Sequence, residues 1–431
     1  MGWVSTFHAD TFTLRWVFPS WSRRSIFWPV VNAGKLREDD PVTATALRPR
    51  WWRLEGVAPV FAMFFLEAFV LGNWIPRIPD VKTAFDFSAS QLGLSLFVLA
   101  SGTMVAFLAG GKMLKRFGLR NSCAVTLPVW TLVVFAVPLM LDGTTLAILL
   151  LFGGLSIGLL EIAMNTAADR LEKTTGRRLM SKAHGFWSLG SLFGALIGGA
   201  IGGAGLGLIE HFALVLIPTA IAGGLFALRI PKADPKIRRG EQKKKEATFK
   251  LPPRGLILLC LMPIGIMVVE GVFIDWSALF VREVLTAGAL ASGLIYAAFS
   301  TVMAVTRLGG DWLLETFGPL PVARVSAIAA TFGIALFAMS PNTIVAFIAA
   351  AFAGLGTAIF YPLTMSAAAS RPGESEDNVS AMSLFAFSSF MLAPPLLGAI
   401  VDGFGLRIAL LLVAPLAASS LFLTNELNKG S

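Results

Sequence analysis

GGKMLKRFGLR, residues 110–120, lies between two long apolar runs, and GDWLLETFG at 310–318 repeats its outline 200 residues later. Gly110 falls on Gly310, Phe117 on Phe317 and Gly118 on Gly318. The register holds outward from the loop. QLGL at 91–94 falls on ASGL at 291–294, and GLSIGLLEIAMNTAA at 154–168 falls on GLGTAIFYPLTMSAA at 354–368. A chain that repeats itself at this spacing predicts two like halves, with the basic stretch around 230–255 joining them.

Composition gives the class. The chain is 55% hydrophobic and 14% charged, with a mean hydropathy of +0.74, outside the usual range for soluble domains. About twenty consecutive apolar residues span a bilayer as a helix. Twelve such windows occur, near 57–76, 91–111, 122–141, 145–168, 184–206, 211–229, 256–276, 288–308, 321–340, 343–368, 379–401 and 405–424. In lipid only helices and closed barrels satisfy their own backbone, and runs of this length and apolarity read as helices. The expectation is an all-α polytopic membrane protein with twelve transmembrane helices in two six-helix bundles, 56–229 and 256–425. A cytoplasmic linker (230–255) and cytoplasmic tails (1–55 and 426–431) complete it. Residues 1–55 hold no spanning run and no secretory cleavage pattern, so they read as a cytoplasmic or interfacial tail.

Charge placement sets the orientation. Of 35 Lys and Arg, only Arg77, Lys82, Arg282 and Arg407 fall in the odd-numbered loops; every other one is assigned to the termini and even loops. The positive-inside rule then puts both termini and the linker in the cytoplasm of a bacterial inner membrane. The net charge of +9 is an orientation signal, not a nucleic-acid footprint. The run KIRRGEQKKKEATFK (236–250) reads as an inside anchor, with anionic lipid or a regulator as the alternative. Cys123 and Cys260 show neither a disulfide framework nor metal-ligand spacing, and monomer is the default state for this architecture.

The loop at 110–120 resembles the signature between helices two and three of the major facilitator superfamily. Gly111, Arg116, Gly118 and Arg120 match, whereas Lys115 stands where the signature has an acid; the second half keeps Glu315 there, with Asp311 before it. The resemblance implies a brace that shapes the gating equilibrium, built on Gly111, Lys115, Arg116, Gly118, Asp311, Glu315 and Gly318. The segments NWIPRIPD (73–80), EIAMN (161–165), HGFWSLGSLFGALIGG (184–199) and EGVFIDWSALFVRE (270–283) are similar to the YbjJ/MosC-like inner-membrane branch. That branch is broadly related to the fucose–proton symporter. The likeness raises sugars and inositol-like polyols as solutes without selecting one.

Ionisable residues inside the bilayer cost several kcal/mol, roughly 3 or more at a helix centre, and so face a cavity, pair or titrate. Glu67, in FFLEAFVLG, and Glu161 are the candidate proton-coupling groups, because a desolvated carboxyl group binds a proton more tightly. Either would serve equally as a structural acid bonded to a neighbouring helix. Asn165 lies one turn from Glu161 on the same face, and an amide both donates to and accepts from a hydroxyl-rich solute. Interhelical glue is the plainer reading of that pair. Tyr361 holds the position equivalent to Glu161 in the second half. Glu270 is expected to face the cavity, and Asp275 to lie nearer the outside with Arg282 within reach. Asn73 and Asp275 are candidate solute contacts; Trp74, Trp187 and Trp276 either stack on a sugar ring or anchor helices at the interface. His184, at the start of the fifth helix, is a helix-start hydrogen bonder or a pH-sensing gate. Gly190, Gly194, Gly198 and Gly202 form a stripe for close helix approach.

No phosphate-binding loop, metal-spaced His/Cys cluster or nucleophilic triad is visible, and there are three histidines in all, so neither an enzyme nor a cofactor is expected. The reading is a secondary transporter, proton-coupled, moving a small polar solute such as a sugar or polyol by alternating access. Efflux of drugs or metabolites by proton antiport is the alternative, and a non-transporting sensor is the more remote one. Carboxylates and carbonyls serve sodium as well as protons, which leaves the coupling ion open.

Overall fold

The computed structural model describes residues 56–177, 179–231 and 254–430; the tail 1–55 and most of the linker lie outside them. Twelve helices among the described residues are long and apolar enough to cross a membrane. The first half holds α1 (Val57–Ala84), α2 (Ala89–Phe117), α3 (Leu119–Leu139), α4 (Gly143–Thr175), α5 (Lys182–Gly203) and α6 (Leu208–Ala227). The second holds α7 (Ile257–Asp275), α8 (Ala289–Leu308), α9 (Pro319–Met339), α10 (Thr343–Ala369), α11 (Asp377–Phe404) and α12 (Leu406–Asn428). Short helices Ser277–Glu283 and Gly310–Phe317 extend α7 and α8.

Local chemistry places the helix ends. Ser88 accepts from the Gln91 backbone N–H at 3.2 Å while the Gln91 side chain accepts from the Ser88 N–H at 2.9 Å, a reciprocal box that starts α2. Pro76 interrupts α1, and a single 3₁₀ turn, Ile75–Arg77, bends the chain there.

The internal repeat is written in the backbone. Gly118 (φ 77°, ψ 158°) and Gly318 (φ 80°, ψ 164°) close α2 and the Gly310–Phe317 helix in the same left-handed conformation, which glycine adopts without a Cβ penalty. Gly205 and Gly405 match at φ 83° and 82°. Asp86 and Thr286, the two non-glycine residues with positive φ among those described, also match, at 50° and 52°. Asp142 caps α4 and Asn342 caps α10, each accepting from a backbone N–H three residues on.

Within the first half, α1 and α5 touch backbone to backbone: a Cβ on Gly190 or Gly194 would run into the carbonyl oxygen of Phe65 or Phe69. The halves meet along α2–α11 and α5–α8. At these seams Gly93 abuts the Pro394 carbonyl, and the Cβ of any larger residue at Gly199 would stand 3.0 Å from Gly293 Cα. Small residues on both sides let the seams form without side-chain interlocking.

Candidate functional site

A cavity of about 390 Å³ opens between the halves near the Gly118/Gly318 end; His184 and Ser188 of α5, Arg307 of α8, Asp311, and Tyr361 and Pro362 of α10 line it. Above it lies a belt of buried polar groups. Glu67 is 5% exposed, and its carboxylate accepts the indole N–H of Trp187 at 2.5 Å. Glu161 lies within electrostatic reach of Glu67. Glu270 pairs with Arg307 at 3.5 Å, and the Arg307 Nε–H donates to the Ala358 carbonyl at 3.0 Å. The Tyr296 hydroxyl, fully buried, is 3.0 Å from the Ser191 hydroxyl across the α5–α8 seam. Tyr296 lies within electrostatic reach of Glu67, Glu270 and Arg307, and Tyr361 within reach of Glu161 and Glu270. Six helices from both halves thus converge on one polar region inside an apolar chain.

The opposite end is shut. Asp80 pairs with Arg77 at 2.6 Å and with Arg282 at 3.2 Å, and Lys82 pairs with Glu283 at 2.8 Å, so ion pairs bridge the two halves. Behind this gate Arg77 NH1 is 3.3 Å from His211 Nδ1, and His211 Nε2 is 3.0 Å from Asn73 Oδ1. A guanidinium only donates, so Nδ1 accepts and the proton of this histidine sits on Nε2, donating to Asn73. The Asn73 amide in turn donates to the Phe69 carbonyl at 2.8 Å. Asp402, at the end of α11, accepts from the backbone N–H groups of Ala89 and Ser90, both at 2.9 Å, capping α2 from across the seam.

The sequence-predicted site residues divide accordingly. Glu67, Glu161 and Glu270 gather in the belt; His184 lines the cavity beneath it, packed edge-on to Phe64, with Tyr361 and Asp311. Asn165 donates one amide N–H to the Glu161 main-chain carbonyl at 2.9 Å. Asn73 belongs to the shut end, and Trp74 and Trp276 are packed in the core, 4% and 0% exposed, not at an interface. Asp275 is half-buried, and Arg282 reaches Asp80 where Asp275 was the expected partner. Gly111, Lys115, Arg116 and Glu315 are exposed at the loop end beside Gly118 and Gly318; Arg116 rests over the Phe117 ring at 5.7 Å.

Arg307 adds to the sequence reading. It was not singled out as a site residue, and it lies in the last turn of α8, paired with the buried Glu270. The signal was an arginine falling within a predicted span. Tyr296 and His211 carried no comparable signal, since their roles come from contacts with distant helices.

The chain is 29% identical over 369 residues to the uncharacterized transporter y4wD of Sinorhizobium fredii, covering 85% of this chain and 95% of that one. It is 28% identical to the membrane protein MosC of Rhizobium meliloti, covering 83% and 86%. The crystal structure of a point mutant of the nucleoside transporter NupG superposes with a TM-score of 0.70 at 13% identity, over 86% of this chain and all of that one. The E. coli fucose:proton symporter FucP superposes with a TM-score of 0.59 at 17% identity, over 86% and 97%. Residues 60–389 match the Major Facilitator Superfamily. The chain belongs to the major facilitator superfamily of membrane transporters and is not an enzyme.

Proposed function

We propose that this transporter is proton-coupled and moves a small polar solute of sugar or polyol size by rocking of the bundles 56–229 and 256–425. The observation that carries the reading is the buried belt itself. Carboxyl groups from α1, α4 and α7 gather behind a cavity lined by Arg307, the ion-pair partner of Glu270, and ion pairs close the opposite end. Buried acids in a membrane protein pair or titrate, and a carrier that loads solute from alternating sides uses such groups to couple proton and solute binding. With the positive-inside assignment, the ion-paired end faces outside and the cavity faces the cytoplasm of a bacterial inner membrane, with both termini inside. The names of the solved relatives, a nucleoside transporter and a fucose:proton symporter, agree with a hydroxyl-rich cargo.

The test uses purified protein in sealed vesicles with an imposed pH gradient. It is expected to concentrate at least one labelled member of a panel of sugars, polyols and sugar acids, and collapse of the gradient is expected to release it. If no member accumulates, or if accumulation survives collapse, proton coupling to a polar solute is the wrong reading.

A further inference from the structure

Arg307 lines the cavity, and its neighbours do not consume it. Its side chain is 29% exposed. Two of its five N–H donors have protein partners among the described residues: Nε–H to the Ala358 carbonyl, and one NH2 hydrogen to Glu270 at the long distance of 3.5 Å. The remaining donors belong to a planar fork whose geometry matches a carboxylate bidentately. Around that fork the cavity offers the Tyr361 hydroxyl, Ser188 and the His184 ring, groups suited to hydroxyls.

We propose that Arg307 is the docking group for a carboxylate on the transported solute, so that the cargo is a hydroxylated acid, not a neutral sugar. This rests on the transporter reading above and deepens it. Glu270 is the resident anion of Arg307, and an incoming carboxylate competes with it for the same fork. Glu270 is buried, and a buried carboxylate that loses its cation is strongly disfavoured. It therefore takes a proton from solvent as the solute carboxylate pairs with Arg307, and the charge of the site is unchanged. Binding one acid thus brings in one proton.

The other charged and titratable groups facing this pair act in the same direction or stay neutral. Glu67 and Glu161 add negative charge that repels a solute anion until protons neutralise it. Tyr296 and Tyr361 present phenols. His184 lies within electrostatic reach of the Arg307 cation. Asp311, one turn beyond Arg307, makes no ion pair with it, and Asp275 lies at the far end of α7.

The test compares solutes matched but for the acid: gluconate with glucitol, and glucuronate with glucose, by thermal shift and calorimetric titration on the full-length protein in detergent. Gluconate and glucuronate are expected to raise Tm, and their neutral partners to do so at least tenfold more weakly in concentration. Titration in buffers of different ionisation enthalpy should give about one proton taken up per gluconate bound. In Glu270→Gln gluconate should bind with no proton uptake. In Arg307→Gln the acid response should vanish, and Arg307→Lys should restore part of it; the Tm of each variant without ligand reports whether it is folded. Equal response to glucitol and gluconate, no response to either acid, or undiminished gluconate binding in folded Arg307→Gln overturns the proposal. Gradient-driven uptake of a neutral polyol with no acid response removes this inference and leaves the transporter reading standing. Gluconate binding at Arg307 without gradient-driven uptake supports the docking role and removes the coupling.

Discussion

Glu67 and Arg307 show what a single ionisable residue does inside an apolar helix bundle. Each is held by one side-chain partner from another helix, Trp187 for Glu67 and Glu270 for Arg307. Trp187→Phe keeps the ring and removes the donor to the Glu67 carboxylate. A hydrogen bond to a charged group contributes about 1.5–3 kcal/mol, so this variant is expected to fold and to lose roughly tenfold or more in proton-driven uptake, with passive exchange less affected. Uptake equal to that of the wild type in vesicles would remove Trp187 from the coupling site. Glu67, Glu161 and Glu270 were legible in the sequence because an acid in an apolar run is conspicuous by composition alone. Arg307 was obscured by the same statistics that gave the orientation, since a count of cations per loop does not see that one of them points inward. Asn73 and Trp276 illustrate the converse: both have the chemistry of a sugar site, and packing against α6 and the core takes that chemistry away from the cavity.

At the scale of the element, glycine contacts and helix caps carry the architecture. Gly194→Ala on α5 would drive a methyl group into the Phe69 carbonyl of α1, and neither backbone can yield locally. Overpacking of this kind costs about 1–3 kcal/mol, read as a lowered Tm in detergent. Gly111→Ala is the control: nothing lies within 4 Å of its added Cβ, and stability should change by about 0.5 kcal/mol or less. The repeated caps differ in one respect. Asp142 accepts from the Thr145 backbone N–H, which holds its carboxyl below the usual carboxylate range, whereas Asn342 makes the same bond without a titrating group. A carboxyl whose folded pKa is depressed stabilises above the unfolded value, about 3.9, and loses that contribution as pH falls through the folded value. Asp142→Asn should therefore match the wild type at pH 7 and exceed it in Tm below pH 4. Asn342→Ala should cost about 0.5–2 kcal/mol at either pH. The helices and their order were readable from apolar windows, the α1 break from Pro76 and the glycine stripe from its spacing; the cross-seam cap by Asp402 depends on three-dimensional neighbours that no window contains.

At the scale of the molecule, two repeated halves enclose one polar region, shut at one end by Asp80–Arg282 and Lys82–Glu283 and open at the other. Alternating access requires those bridges to break when the far end closes. Asp80→Asn removes the partner of both Arg77 and Arg282 and should shift the equilibrium by about 1–2 kcal/mol, a five- to thirty-fold change in ratio, towards the form open at that end. Spin labels at Ala84→Cys and Gly288→Cys, which flank the gate and are exposed, should report a longer distance population in that variant; an unchanged distribution would mean the bridges do not gate. The most direct measurement of the whole account is transport by Glu67→Gln in sealed vesicles, using the solute that the wild-type protein concentrates. The substitution keeps the shape and the hydrogen bond of a protonated acid but cannot titrate. Gradient-driven accumulation is expected to be abolished while counterflow exchange of the same solute persists. If Glu67→Gln accumulates solute against a gradient as well as the wild type, Glu67 is structural and the coupling proposed for the buried belt is contradicted.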